Sequence, residues 1–381
     1  MPANLPKPFL ITAVGLLGLL IIGASIAMSS LGVKSPLSGA WKARFEDVAK
    51  LNEYAKQQPV EIANATIENH NIDGAVLNGG RFENTHWKEV SIKQANLNKT
   101  VFSKGLLENV DFSDSTLTDV VFEDMMLWEV RFFGPTLNNV RFIRCTFNGS
   151  NVDRTKNSRI EVVNSKMVNT SFSRGQLVAV FRNSQFEKGN RLTSLIAPSS
   201  LTFEKSELDG VELSRSVLSK LVLDTVKSSK SGFDTGAVGS VTITGGDISF
   251  GFSETEIDSL QAHNLGNIEL ALPGATIKSM SINDCRTATS LSIFEATVGT
   301  LDINRCPLDN FTPAGSTFGT LHIKDGAISN SEFRKMKVKT LILENVSLDG
   351  DLNFTNAHIG ELKTKNVTKQ PGLNLITTGS N

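Results

Sequence analysis

The sequence predicts an all-β solenoid, a parallel β-helix with four short sides per coil, behind a transmembrane helix and a short capping helix. Three observations carry this reading. Large apolar residues recur at every fifth position from Ile62 to Val152. The chain between Lys7 and Lys34 carries no charge. The stretch between these two features has one apolar helical face.

The first element is the membrane segment. Phe9 to Met28 is twenty mostly apolar residues, and at ~1.5 Å rise such a run crosses the ~30 Å hydrocarbon layer. It exceeds the ~7–15-residue apolar core of a cleaved signal, so it reads as an uncleaved anchor in spite of the small residues in "ASIAMSS". Gly23 and Ala27 form a small-xxx-small pair, to which no role is assigned. The very short N-terminal flank places the bulk of the chain in the periplasm. Lys34, Lys42 and Arg44 after the span, against Lys7 before it, lean the other way, so a cytoplasmic orientation stays open.

Next comes "SGAWKARFEDVAKLNEYAKQQP", with Trp41, Phe45, Val48, Leu51 and Tyr54 on one face. The expectation is a single helix with Ser38 as N-cap, a Glu46–Lys50 pair one turn apart and Pro59 as its stop. It serves as a lid, because an uncovered terminal coil exposes apolar side chains and unpaired backbone.

The five-residue beat follows. "NLNKTVFSKGLLENVDFSDSTLTDVVF" (96–122) places Leu97, Phe102, Leu107, Phe112, Leu117 and Phe122 at equal steps. Neither a helix nor a flat strand repeats at five. A chain that turns after every few extended residues does. A second column lies two residues earlier and is mostly small or β-branched: Ala65, His70, Ala75, Gly80, Thr85, Val90, Ala95, Thr100, Gly105 and Val110. It points inward near each corner, where space is short, and Asn, Asp and Gly suit the corners themselves. Four sides of five residues close one coil of about twenty. In the C-terminal half, "VGSVTITGG" (238–246) has counterparts starting at 257, 277, 298, 318, 338 and 359, near that spacing. Some fifteen coils at the ~4.8 Å strand spacing would make a rod of roughly 70 Å.

"ANLNK" (95–99) and "STLTD" (115–119), with the near matches "TVFSK" (100–104) and "VDFSD" (110–114), resemble the motif of the pentapeptide-repeat family. The resemblance spans roughly residues 60–368 and implies a right-handed quadrilateral β-helix. Leucine-rich repeats lack a sustained five-residue beat. The domain reading is: 1–34, anchor; 35–59, linker and capping helix; 60–186, first half of the β-helix. Residues 187–200 read as a protruding loop or waist, 201–368 as the second half and 369–381 as a polar tail. The lysines of "ELKTKNVTK" discourage edge-to-edge growth.

Composition narrows the function. With 38 basic and 39 acidic residues the net charge is −1, without the basic excess of a nucleic-acid binder. Phenylalanine is abundant at 22 against one tyrosine, Tyr54, as suits rings used as interior filler. Cys145, Cys285 and Cys306 are too few for a disulfide scaffold. Cys285 and Cys306 hold the same place in adjacent coils and are expected as small buried core residues, since stacked side chains rarely present the torsion a disulfide needs. The histidines (His70, His86, His263, His322, His358) suggest no ligand set for a metal, and no cofactor is implied. Glu108, Asp111, Asp114 and Asp119 are the carboxylates to weigh for polysaccharide cleavage. In sequence they read as solvated outer-face acids without a basic partner, so no catalytic residue is assigned and the chain is expected not to be an enzyme. The glycosylation patterns at Asn64, Asn148 and Asn353 carry no function.

The leading expectation is a membrane-tethered, non-enzymatic scaffold that presents a rigid rod to a protein partner, with self-association open. The family resemblance implies an alternative, a duplex-DNA mimic that binds type II topoisomerases; the charge balance and the anchor depart from it. A β-helical carbohydrate-active enzyme is the second alternative.

Overall fold

The computed structural model describes residues 35–371; the expected anchor at Phe9–Met28 lies outside the described residues. From Glu61 to Lys369 the chain winds as an all-β parallel solenoid of about 15 turns. In the first half each turn has four sides. Strands such as Arg81–Glu83, Val101–Ser103 and Val121–Glu123 stack in register at twenty-residue separation, Phe82 on Phe102 on Phe122.

The corners explain the beat. Asn84, Glu89, Gln94, Lys99 and Lys104 all hold φ between 50° and 56°, one left-handed residue every fifth position. That conformation turns the chain onto the next side of the coil after three extended residues, so the middle residue of each side points inward and its neighbours outward. Asn, Asp and Gly take many of these corners; Glu, Gln, Lys and Arg take others, at a cost of roughly 1 kcal/mol each.

Inside, identical side chains meet. Phe82, Phe102, Phe122 and Phe142 stack with centroids 5.0, 5.0 and 4.9 Å apart, and Phe112 lies over Phe132 at 5.1 Å. The small column lies at the inner corners and also has polar work. Ser115 Oγ accepts from Ala95 N at 3.0 Å and donates to Ile92 O at 2.7 Å; Ser150 does the same for Val130 N and Leu127 O. Corner backbone that the ladder leaves unpaired is thereby satisfied inside the core. Gly105 shows why the column stays small: a Cβ there would stand 2.3 Å from Thr85 O.

The N-terminal cover differs from the expected single helix. Helix α1 (Gly39–Phe45) ends at Glu46, and α2 (Val48–Gln57) starts afresh. Asp47 takes an extended conformation and caps α2, its Oδ1 accepting from Ala49 N at 3.1 Å and Lys50 N at 3.3 Å. The Ser38 side chain makes no cap bond. The expected Glu46–Lys50 pair is replaced by Lys50–Asp47 at 3.1 Å and Lys42–Glu46 at 3.9 Å, because the break rotates Glu46 away. Phe45 and Leu51 are buried, Phe45 edge-on to Trp87 at 5.8 Å. Asn52 covers the open backbone of the first coil, donating to Gly74 O at 3.2 Å and accepting from Val76 N at 2.7 Å. Ser35–Pro36 adds a short parallel strand against Ala65–Thr66.

Two other expectations are corrected. Residues 187–200 are not a protruding loop: Arg191–Thr193 pairs with Ser171–Ser173, and Leu192 and Leu195 are buried. The register separation rises only from 20 (Phe172 to Leu192) to 22 (Val178 to Ser200), so the irregularity is two extra residues at one corner. Four equal sides also do not persist. Asn139 is left-handed between the strands Thr136–Asn138 and Val140–Ile143, but its counterpart one coil on, Arg159, is not, and Ser158–Val163 runs through the corner as one strand. Later coils keep this fusion as eight-residue strands such as Thr276–Asn283, whose buried residues Ile277, Met280 and Ile282 are separated by a three-residue and then a two-residue step. Between Asp325 and Asn345 only Asn330 and Lys335 are left-handed.

Two measurements test this construction. Phe122→Ala removes the middle ring of a stacked column and should cost about 3–5 kcal/mol, read by chemical denaturation of the full chain. Gln94→Gly, at an exposed left-handed corner (φ 53°), should raise stability by about 0.5–1 kcal/mol. A loss at this position would contradict the corner assignment.

Candidate functional site

The side chains that face solvent form columns as regular as those inside. On the third side, Asn71, Ser91, Asp111, Arg131, Asn151, Ser171 and Arg191 follow one another coil by coil. Beside them run Phe133, Asp153, Ser173 and Thr193. Short Ser, Asn and Asp side chains leave a shallow groove here, bordered by Lys93, Arg131 and Arg174.

Two of the four carboxylates weighed for chemistry lie in this groove. Asp111 accepts from Ser113 N at 2.9 Å and from the Ser113 hydroxyl, with Lys93 Nζ at 3.5 Å and Arg131 Nη1 at 3.9 Å. The basic partners absent from its sequence neighbourhood come from the coils below and above, 18 and 20 residues away. Asp114 is a corner residue, close to Gly134, where a Cβ would stand 2.5 Å from its Oδ1. The other two lie elsewhere: Glu108 contacts His86 at 3.0 Å on the second side, and Asp119 accepts from Asn139 Nδ2 at 2.7 Å at another corner. The four therefore do not converge.

Sequence reasoning missed Asp153. Its side chain is only 8% exposed, and Arg174 and Ser173 satisfy it, Arg174 Nε at 2.9 Å and Ser173 Oγ at 3.0 Å. Burial of a charge is tolerated there because a forked guanidinium answers it. Arg154 lies 4.9 Å from the Phe133 ring centre. In the groove Asp111 and Asp153 are thus each answered by a cation from an adjoining coil. The same cross-coil pairing recurs outside it: Arg141 binds Glu161 at 3.0 Å, Arg182 contacts Glu161, and Arg182 binds Glu204 at 2.6 Å. Arg144 grips Asp124 at 2.7 Å and holds its carboxyl below the usual range.

A second feature is apolar. Ile196, at the two-residue insertion, is 53% exposed, and Val217, next to it on the following coil, is 46% exposed. They form an apolar step on a mainly polar surface.

The histidines sit apart. His70 lies under Phe45 at 5.7 Å, and burial lowers its pKa; His263 contacts Thr244 at 3.2 Å and His322 contacts Asp302 at 3.3 Å. His358 lies on the last strand, His358–Lys369. Among the described residues no three metal-ligating side chains gather.

The cysteines require a correction. Cys285 and Cys306 form a disulfide, with Sγ atoms 2.04 Å apart and Cα atoms 4.7 Å apart. The two cysteines are 21 residues apart, the separation that the adjoining strands already keep from Thr276 with Thr297 to Asn283 with Asn304. They therefore stack in register at the ordinary spacing between coils, and their side chains turn toward each other; the separation falls to 19 only beyond them, where Thr289 pairs with Leu308. Cys145 is free and buried, its thiol 3.3 Å from Phe122 O, and burial pushes its pKa up to about 12.

No family model matches the chain, and no curated protein does. Similar solved structures include trypsin-treated QnrB1, titled a plasmid-mediated fluoroquinolone resistance protein (18% identity, 41% of this chain and 73% of that one, TM-score 0.22). HetL, titled a pentapeptide repeat protein involved in heterocyst differentiation regulation from the cyanobacterium Nostoc sp. strain PCC 7120, aligns at 14% identity over 84% and 92%, TM-score 0.17. A PL6 alginate lyase in complex with a trisaccharide aligns at 10% identity over 89% and 84%, TM-score 0.27. At these scores none carries an argument about function. The solenoid rests on the chain's own ladder.

Thiol counting tests the cysteine assignment. The native chain should react with no equivalent of an aromatic disulfide reagent, the denatured chain with one, and the denatured and reduced chain with three.

Proposed function

We propose that the chain is a membrane-tethered, non-enzymatic scaffold whose solenoid stands outside the cytoplasm as a rigid rod for protein–protein contact. The observation that carries this reading is the way the surface charges are used. Cations and carboxylates on successive coils neutralise one another, so the faces are preformed and rigid, and a partner meets them without ordering long side chains. The Ile196–Val217 step supplies the apolar anchor that a partner needs on such a surface. The uncharged, mostly apolar run of sequence at Phe9–Met28 supports the tether. The Cys285–Cys306 bond supports the orientation, since disulfides persist in oxidising compartments and are rare in the cytosol.

The resemblance to pentapeptide-repeat proteins agrees with a binding role rather than a catalytic one. The topoisomerase-binding alternative finds less support. The run of ion pairs Arg141–Glu161–Arg182–Glu204, which crosses two neighbouring columns, alternates in sign and lacks the continuous like charge of a duplex.

Two experiments test the proposal on the full chain in its membrane. A reporter active only outside the cytoplasm, fused after Asn381, should be active; an inactive reporter, with activity from a cytoplasmic one, would reverse the orientation. A photo-crosslinker at Ile196 or Val217 should capture one partner polypeptide that a crosslinker at Lys278, on a distant coil, does not. Val217→Asp should lower that capture at least tenfold.

A further inference from the structure

The N-terminal cap does more than cover the first coil. Phe45, Leu51 and Asn52 do that work. A shallow groove between α1 and α2 is lined by cap residues alone, among them Ala43, Arg44, Lys50, Glu53, Tyr54 and Gln57. The Arg44 guanidinium is fixed in it, 5.0 Å from the Trp41 ring centre and 4.6 Å from that of Tyr54. Its Nη1 donates to Ala40 O at 3.2 Å, and the two rings meet edge to face at 5.0 Å. The other charges of α1 and α2 are used up in pairs: Lys42 with Glu46, Lys50 with Asp47, Lys56 with Glu53. Within the cap Arg44 is the one charge without an ion-pair partner among the described residues. A guanidinium held in place by aromatic rings and left without an anion is half of a phosphate site.

We propose that this groove binds the phosphate of an acidic phospholipid at the bilayer surface, an inference that rests on the tether reading above. The path of the chain selects this ligand. Met28 closes the apolar run, and Ser35, which pairs with Ala65 on the first coil, follows seven residues later. Fully extended, that interval reaches about 25 Å. A tethered chain therefore keeps the cap, and not the far coils, beside the headgroups. Trp41 and Tyr54 are half-buried and pair an apolar ring with one polar atom, the combination that settles at the membrane–water interface. An anionic leaflet attracts the unpaired cation, and the forked guanidinium can meet two phosphate oxygens at once. Glu53 on the same groove is answered by Lys56 at 2.6 Å and does not cancel Arg44.

Headgroup quenching on the full chain tests the site. Ala49→Cys, exposed next to Lys50, carries a fluorophore; the native thiols are buried or bonded. The chain is reconstituted into vesicles of phosphatidylcholine alone or of equal parts phosphatidylcholine and phosphatidylglycerol, each with a trace of headgroup-spin-labelled lipid. Quenching should be at least threefold stronger with phosphatidylglycerol, and a label at Lys278→Cys, on a distant coil, should show none in either. Arg44→Gln should lower the signal to the phosphatidylcholine level, whereas Lys335→Gln, the same loss of charge far from the cap, should leave it unchanged. Equal quenching in the two compositions overturns the proposal, and that comparison needs no variant of Arg44 to fold. Undiminished quenching in Arg44→Gln overturns it as well, reducing the effect to general attraction toward the surface. Flotation of the same vesicles separates the two readings. A chain that floats but fails these tests loses the lipid site and keeps the tether; a chain that does not float loses both.

Discussion

The whole molecule depends on one backbone constraint, a residue held in the left-handed region at every fifth position of the first half. Each such corner ends a side after three extended residues and returns the chain over itself after about twenty. The inter-coil hydrogen bonds, the phenylalanine columns and the outward charge pairs all follow from that return. The corner is also expensive, since Glu, Gln, Lys and Arg occupy it alongside Asn and Gly. What holds it is cumulative: a corner in one coil stacks on corners above and below, so escape of one residue breaks ladder bonds on both sides.

When the constraint is relaxed at one corner, the consequences stay local. Arg159 adopts an extended conformation where Asn139 turned, two sides fuse, and a longer strand carries the core from there to the C-terminus. The three remaining sides keep their register through this change. The two-residue insertion near Ile196 behaves the same way: a corner absorbs it while Leu192 and Leu195 remain in the core. A solenoid whose coils touch only their neighbours confines such irregularities, which is why its sequence drifts from the ideal beat without losing the fold.

The fold was legible because side-chain direction within a coil is a local property. Phe102, Phe112 and Phe122 announce their inward positions by spacing alone. Contacts between coils were not legible in the same way. The pairs Lys93–Asp111 and Arg182–Glu204 join residues about a coil apart, and separations of 18 to 22 leave several candidates for each charge. The Cys285–Cys306 bond was missed for a related reason: the shared column was legible, but not the side-chain rotamers that turn the two sulfurs toward each other across adjacent coils. The split between α1 and α2 turns on Asp47, whose side chain caps a new helix instead of continuing the old one. A continuous apolar face conceals such a break, because Phe45 and Leu51 reach the core on either side of it.

The same distinction bears on function. Catalysis in a solenoid needs groups from several coils to converge with unequal environments; the cross-coil pairs Arg141–Glu161, Arg144–Asp124 and Arg182–Glu204 instead set a cation on one coil against a carboxylate on a neighbouring one. Even the buried Asp153 is held on both oxygens, by Arg174 and Ser173. On the scaffold reading proposed above, such pairs would offer a partner a fixed pattern of donors and acceptors, with specificity drawn from position rather than from reactivity. The places where the pattern fails are then the informative ones. At Ile196 and Val217 apolar side chains face solvent because an insertion lifts one corner out of the beat, and this departure marks that stretch of the rod.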